Sequence, residues 1–153
     1  MKLTRRVLHL PTKTVDFSKI GTAHRINELI QTMQQFMIDN NAIGLAANQI
    51  GLRDRVLVMG IEDQLWGCVN PEIISLDNDC NEFAEGCLSF PGETVTITRP
   101  KSVNIRFQTA DGQWKEQQLT GLPARCFLHE LDHLNGVTMY DRAKEQYATQ
   151  SRN

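Results

Sequence analysis

The stretch LHELDHLNG (Leu128–Gly136) places two histidines, His129 and His133, four residues apart, with Glu130 directly after the first. Side chains at positions i and i+4 lie on the same side of an α-helix, so both imidazoles can reach one metal ion. Leucines recur at helical spacing through the stretch, which predicts a core helix. Burying the polar groups there is costly unless a metal ion or polar partners satisfy them. The pattern therefore favours a metal site, and a buried helix with a polar stripe is the alternative.

A catalytic metal site needs a third ligand, and the residues after this helix do not offer one. The extended pattern HExxHxxGxxH would place its last histidine at Met139, a poor ligand for a hydrolytic metal ion. Upstream, AEGCLSFPG (Ala84–Gly92) surrounds Cys87 with small residues, so that its thiol can approach an ion closely. One cysteine and two histidines leave a coordination position open, which is typical of a catalytic site. We predict Cys87 as the third ligand; a buried thiol without this role is the alternative.

The remaining patterns predict an α+β fold. Apolar residues at three- and four-residue steps predict an amphipathic helix over 25–40, and RVLVMGI (Arg55–Ile61) predicts a buried strand. WGCVNPEIISLD predicts strands interrupted at Pro71, and the alternating segments ETVTITRP, SVNIRFQT and QWKEQQL predict an antiparallel meander. A second helix should begin near Pro123 and end at Gly136. We expect antiparallel sheets packed around this central C-terminal helix, with the N-terminal helix outside them, in one domain over 1–153.

Composition excludes several classes of function. The formal net charge is −2 and the isoelectric point is about 6.1, so the chain lacks the basic surface that stable DNA or RNA binding needs. No apolar run is long enough to span a bilayer, and the apolar start ends at Pro11, too early for a signal peptide. We therefore expect a cytoplasmic protein. The four cysteines show no CxxC spacing and are interpreted as thiols or ligands rather than disulfides.

Three motifs, taken together, resemble those of the peptide deformylase family. AIGLAANQ, EGCLS and HELDH occur here in the order of the family motifs GxGLAAxQ, EGCLS and HExDH. The resemblance covers nearly the whole chain, since the intervening strands and the N-terminal helix also fit. It implies an enzyme that removes the N-formyl group from the initiator methionine of new proteins and releases formate.

The resemblance also implies roles for individual residues. Cys87, His129 and His133 would hold the metal ion and leave one position for water, whose pKa the ion lowers. Glu130 would take the proton of that water and pass it to the leaving amine. The side-chain amide of Gln49 and the backbone N–H of Leu88 would stabilise the developing oxyanion.

By the same resemblance, the methionine side chain of the substrate enters an apolar pocket. The matching positions are Ile43, Phe83, Leu122, Cys126 and the ring of His129; for all but the last, an ordinary core position is the alternative. The peptide backbone would pair with main chain near Gly44 and Gly86 as an added strand.

The resemblance also implies an ion pair for Asp132, on the helix that carries the two histidines. Asp132 needs a cation among the metal ligands, and Arg99 occupies the position that pairs with it in the family. Arg125 lies close in sequence and is the competing partner. Loss of such a partner would loosen the orientation of the metal ligands.

The resemblance implies one divalent metal ion, with Fe²⁺ expected first and Zn²⁺, Ni²⁺ or Co²⁺ as alternatives that the same ligands accept. N-formylmethionyl nascent peptides are the expected partners of a monomer. Few residues follow the predicted core, so the ribosome docking seen in members with a longer C-terminal helix is expected to be weak or absent. Two rival hypotheses are a thiol hydrolase with Cys87 as nucleophile and a non-catalytic, metal-stabilised binding module.

Overall fold

The computed structural model describes residues 1–145 and 147, and its secondary structure is of mixed type. Three helices, α1 (Thr22–Asp39), α2 (Leu122–Leu134) and α3 (Met139–Lys144), accompany a short 3₁₀ helix (Ala47–Ile50). The strands are β1 (Gly44–Ala46), β2 (Val56–Ile61), β3 (Gln64–Leu76), β4 (Cys80–Cys87), β5 (Phe90–Pro100), β6 (Ser102–Gln108) and β7 (Trp114–Thr120). All named strand pairs are antiparallel, which confirms the predicted α+β class.

The strands form two sheets, and this differs from the predicted meander. β6 and β7 pair as expected, but β5 pairs with β4 in a separate two-stranded sheet. The larger sheet has the order β1-β2-β3-β6-β7. The prediction of β5 beside β6 is wrong because the intervening turn carries the chain from one sheet to the other. Proximity in sequence does not distinguish a hairpin from such a crossing.

The segment around Pro71 remains within one strand, which corrects the predicted interruption. β3 runs through this residue, and its pairing with β6 shifts register between Val69 and Glu72. Asn70 adopts a positive φ of 50° just before the proline. A bulge of this kind accommodates the missing N–H of proline without ending the strand.

Strand β2 is buried on both of its faces, which explains its continuous apolar run. Val56 and Val58 pack in a cluster with the apolar stripe of α1, whereas Leu57 and Met59 pack with α2. Successive side chains of a strand point to opposite faces, so β2 contributes alternately to both clusters. Helix α2 is buried along nearly its whole length, from Ala124 onward. None of the helices in the described part of the chain has the length and apolar character that crossing a membrane requires.

Candidate active site

The three predicted metal ligands converge in space. The sulfur of Cys87, at the end of β4, and the ring nitrogens of His129 and His133, on α2, all lie within 4.8 Å of one another. Cys87 Sγ and His133 Nε2 lie 3.3 Å apart. The donor set of one thiol and two imidazoles suits a divalent transition metal and leaves a coordination position open. These residues therefore fit the metal ion that the motifs imply.

The surroundings shift the pKa values of the two imidazoles in opposite directions. Burial lowers the pKa of His133 well below its usual value, so this ring is neutral and offers a lone pair. Burial also disfavours charge on His129, but hydrogen bonds to Cys87 and Glu85 outweigh it and raise the pKa of this ring to about 10. A cation bound at the cluster competes with that proton, because metal ligands bind in their deprotonated form.

Glu130 lies beside the ligands and keeps an unsatisfied oxygen. Burial raises the pKa of its carboxyl group to about 7, and the neighbouring charge of His129 opposes part of this increase. Its Oε1 is buried and, among the described residues, has no hydrogen-bond partner. A carboxyl group with a pKa near neutrality can both accept and donate a proton at working pH.

The two predicted oxyanion donors flank Cys87. Gln49 lies on the 3₁₀ helix, where its Oε1 accepts a hydrogen bond of 2.8 Å from the N–H of Ala46. This contact orients its Nε2 toward Ser89 Oγ, at 3.1 Å, and toward Cys87 Sγ, at 3.6 Å. Leu88 directly follows Cys87 in the turn that closes β4 and β5. Both donors therefore lie at the edge of the ligand cluster.

All five predicted pocket residues line one cavity of about 210 Å³. Ile43, Phe83 and Leu122 are 50–58% exposed and form its rim, which excludes the alternative that they are ordinary core residues. Cys126 is buried, and it lines the cavity together with His129. The cavity thus has an apolar wall that leads to the metal ligands.

A second cavity, of about 380 Å³, adjoins the first and is also lined by residues of the predicted ligand cluster. Its lining includes Gly44, Gly86, Gln49, Cys87 and Leu88. The structure gives Gly44 a reason other than the one proposed from sequence. A Cβ at this position would lie 2.7 Å from both Cys126 Sγ and Glu130 Oε2, so any larger residue would force these side chains of α2 to shift.

The comparison with known families joins this geometry to an activity. Residues 1–149 match the family model described as polypeptide deformylase. The chain belongs to this family. A peptide deformylase of Thermotoga neapolitana is 42% identical over 119 residues, which cover 78% of this chain and 70% of that protein.

Solved peptide deformylases share the fold. The enzyme of Thermotoga maritima is 37% identical, with a TM-score of 0.82, and the match covers 88% of this chain and 89% of that one. A class I type b peptide deformylase from Acinetobacter baumannii, with Met-Ala-Ser bound, is 28% identical with a TM-score of 0.87. That match covers 93% of this chain and 97% of the other.

Glu85 is a site residue that the sequence analysis missed. Its carboxylate accepts hydrogen bonds from His129 Nδ1 at 2.8 Å, from Arg99 at 2.6 and 3.0 Å, and from Arg125 at 2.6 Å. Burial opposes ionisation of Glu85, but the bonds from His129 and Arg99 hold its pKa at about 2. A carboxylate that accepts the Nδ1 proton leaves Nε2 of the same ring for a metal ion. The available signal was its place as the first residue of the EGCLS motif, for which the sequence analysis assigned no role.

The arginine partners are divided between two carboxylates. Arg99 Nη1 donates to Asp132 Oδ2 at 2.9 Å, which confirms the pairing expected from the resemblance. The competitor Arg125 bonds to Glu85 instead, so it is not the partner of Asp132. Arg142, on α3, also donates to Asp132, at 2.8 and 3.1 Å. This second partner comes from a helix for which the sequence offered no assignment.

Replacing Glu85 with glutamine should weaken metal binding about ten- to hundredfold, because the ring of His129 loses its charged acceptor. The free energy of unfolding should fall by about 3–5 kcal/mol, since two buried arginines lose a carboxylate. Metal titration and thermal unfolding measure the two effects. Glu82→Gln, at an exposed position of the same strand, is the matched control and should change neither. Unaltered metal affinity in Glu85→Gln would contradict the assigned role.

Replacing Gly44 with alanine should reduce deformylase kcat by about ten- to a hundredfold, because the new methyl group displaces Glu130 by a fraction of an ångström or more. Gly60→Ala is the matched control, since its Cβ would meet Met37 Cε at an ordinary 3.6 Å. Both variants are compared by kcat and by melting temperature. A Gly44→Ala enzyme with the wild-type kcat would show that the close approach to Glu130 is not important for catalysis.

Proposed function

We propose that this peptide deformylase hydrolyses the N-formyl group of N-formylmethionyl nascent peptides in a metal-dependent reaction. Water adds to the formyl carbon, the C–N bond breaks, and the products are formate and a peptide with a free N-terminal amine. The observation that carries the proposal is the convergence of Cys87, His129 and His133 beside the buried carboxyl group of Glu130. A Met-Ala-Ser peptide bound in the Acinetobacter baumannii relative corresponds to such a product.

Cys87, His129 and His133 would hold one divalent ion, with Fe²⁺ the first candidate and Zn²⁺, Ni²⁺ or Co²⁺ compatible with the same donors. When bound, the ion supplies Lewis acidity, which lets water attack at near-neutral pH. Glu130 accepts the proton that the attacking water loses and delivers it to the leaving nitrogen. Gln49 Nε2 and the N–H of Leu88 donate hydrogen bonds to the oxygen that becomes negative as the carbonyl is attacked.

The cavities support a methionine substrate in extended conformation. The methionine side chain would enter the cavity bounded by Ile43, Phe83 and Leu122, with Cys126 beside it. β1 is at the edge of the larger sheet, so the peptide backbone would add along this edge near Gly44 and beside Gly86 of β4. At Gly86, an added Cβ would meet nothing nearer than 3.8 Å, which leaves room for an approaching backbone.

Release of formate from formyl-Met-Ala-Ser tests the proposal. We expect turnover by the metal-loaded protein and a large preference over formyl-Gly-Ala-Ser, which leaves the apolar cavity empty. Absence of formate release with every candidate ion would favour the non-catalytic binding module. We also propose that residues 1–153 form a single catalytic domain and that the enzyme acts as a monomer in the cytoplasm. The expected weakness of ribosome docking concerns a segment that lies largely outside the described residues, at 146 and 148–153.

A further inference from the structure

The N-terminal segment of the chain lies directly against the two elements that carry the proposed oxyanion donors. These are the 3₁₀ helix with Gln49 and the Cys87–Phe90 turn with Leu88. The N–H of Thr4 donates a hydrogen bond of 2.8 Å to the carbonyl of Gln49. The methyl group of Thr4 lies over Gly51, where an added Cβ would be 3.1 Å away. Thr4 is thus packed on the 3₁₀ helix that presents Gln49 to the metal ligands.

The next residue, Arg5, contacts the Cys87–Phe90 turn at two points. Its Nε donates a hydrogen bond of 2.9 Å to the carbonyl of Ser89, and its guanidinium lies 4.4 Å from the ring centre of Phe90. Phe90 is also held by the edge of Tyr140, at 5.2 Å between ring centres. Cys87 and Phe90 pair across the turn, so Leu88 and Ser89 are its two central residues. Arg5 therefore holds the turn in which Leu88 presents its N–H.

From these contacts we infer that Arg5 is a positioning residue for the deformylase reaction. Together with Thr4 it ties the Gln49 helix to the Cys87–Phe90 turn and so sets the distance between the two oxyanion donors. The Gln49 helix and the turn are also joined directly, by a hydrogen bond of 3.1 Å from Gln49 Nε2 to Ser89 Oγ. The inference rests on the proposed function, because it concerns the donors assigned there. Hydrogen-bond donors that act on the transition state require accurate placement, and small displacements are costly in rate.

The test compares Arg5→Ala, Arg5→Lys and Arg6→Ala. Arg6 is a neighbouring, exposed arginine and serves as the matched control. We expect Arg5→Ala to lower kcat about tenfold with KM changed less than about twofold, because the donors act mainly in the transition state. Arg5→Lys retains a cation over Phe90 and should recover kcat to within about threefold of wild type. Arg6→Ala should match the wild-type protein.

Two further measurements separate positioning from a general loss of structure. In a Gln49→Ala background, Arg5→Ala should cost less than about threefold in kcat, because the distance between the two donors no longer affects the rate once one donor is absent. In metal-free protein, amide hydrogen exchange over 47–51 and 86–90 should accelerate in Arg5→Ala and not in Arg6→Ala. A wild-type kcat in Arg5→Ala, an equal loss in both backgrounds, or unchanged exchange would each overturn the inference. If the wild-type protein releases no formate, the proposed function fails, whereas the exchange comparison still tests the role of Arg5.

Discussion

Replacing Glu130 with glutamine is expected to lower kcat for formyl-Met-Ala-Ser by about 10³, within the range usual for loss of a general acid–base group. The amide has nearly the same shape as the carboxyl group but cannot accept the proton of water. The position is buried beside the ligand cluster, and burial raises the pKa of the native carboxyl group to about 7. KM should stay nearly constant, because Glu130 is assigned to proton transfer rather than to substrate binding.

Formate release, metal content and thermal unfolding together check this result. The metal content should equal that of the wild-type protein, since Glu130 is not assigned as a ligand. The melting temperature should change little, because the neutral amide avoids the cost of burying a charged carboxylate, which is the cause of the raised pKa of Glu130. Glu116→Gln, at an exposed position of β7, is the control. Turnover by Glu130→Gln at the wild-type rate would remove Glu130 from the mechanism.

Removal of the metal ion is expected to abolish formate release and to lower the melting temperature by about 10 °C, the shift expected when a tightly bound ligand of the native state is lost. Addition of Fe²⁺ or Ni²⁺ should restore both. The matched pair of variants is Cys87→Ser, which should prevent the recovery, and Cys80→Ser on the same strand, which should not. Elemental analysis and unfolding curves provide readouts that are independent of activity.

The same experiment decides between hydrolysis with a metal ion and hydrolysis by a thiol nucleophile. The contact of 3.3 Å between Cys87 Sγ and His133 Nε2 is compatible with a cysteine–histidine pair. A thiol hydrolase would keep its activity after full metal removal, so retained turnover would favour that mechanism over the one proposed here.

Helices α1 and α2, whose apolar residues recur with a clear periodicity, were predictable from sequence. Helix α2 begins at Leu122 and ends at Leu134, close to the predicted bounds, because leucine spacing and the flanking proline and glycine act locally. The bounds of α1, Thr22–Asp39, lie within three residues of the predicted range 25–40, because its apolar spacing is also a local signal. The pairing of β5 with β4 was not predictable, because alternation shows that a segment is a strand without showing which strand is its neighbour.

In the pocket and in the hydrogen-bond network of Glu85, too, some features were predictable from sequence and others were not. The resemblance to the family implied Ile43, Phe83 and Leu122 as pocket positions, but their exposure at a cavity rim depends on how β1, β4 and α2 pack. Glu85 joins His129 to Arg99 and Arg125, which lie 14 and 40 residues after Glu85 in sequence. No local pattern encodes contacts of that kind.

The sequence by itself determined the chemistry of this protein, because side-chain type and helical spacing decide which groups can bind a metal ion or move a proton. The tertiary structure alone decided how those groups are set against one another. It placed Glu85 against the ring of His129 and brought side chains of α2 within 2.7 Å of where a Cβ at Gly44 would lie. It also laid Thr4 and Arg5 against the Gln49 helix and the Cys87–Phe90 turn. These arrangements arise from packing between distant segments, where the free energy of burial and of hydrogen bonding is shared by residues that have no regular spacing.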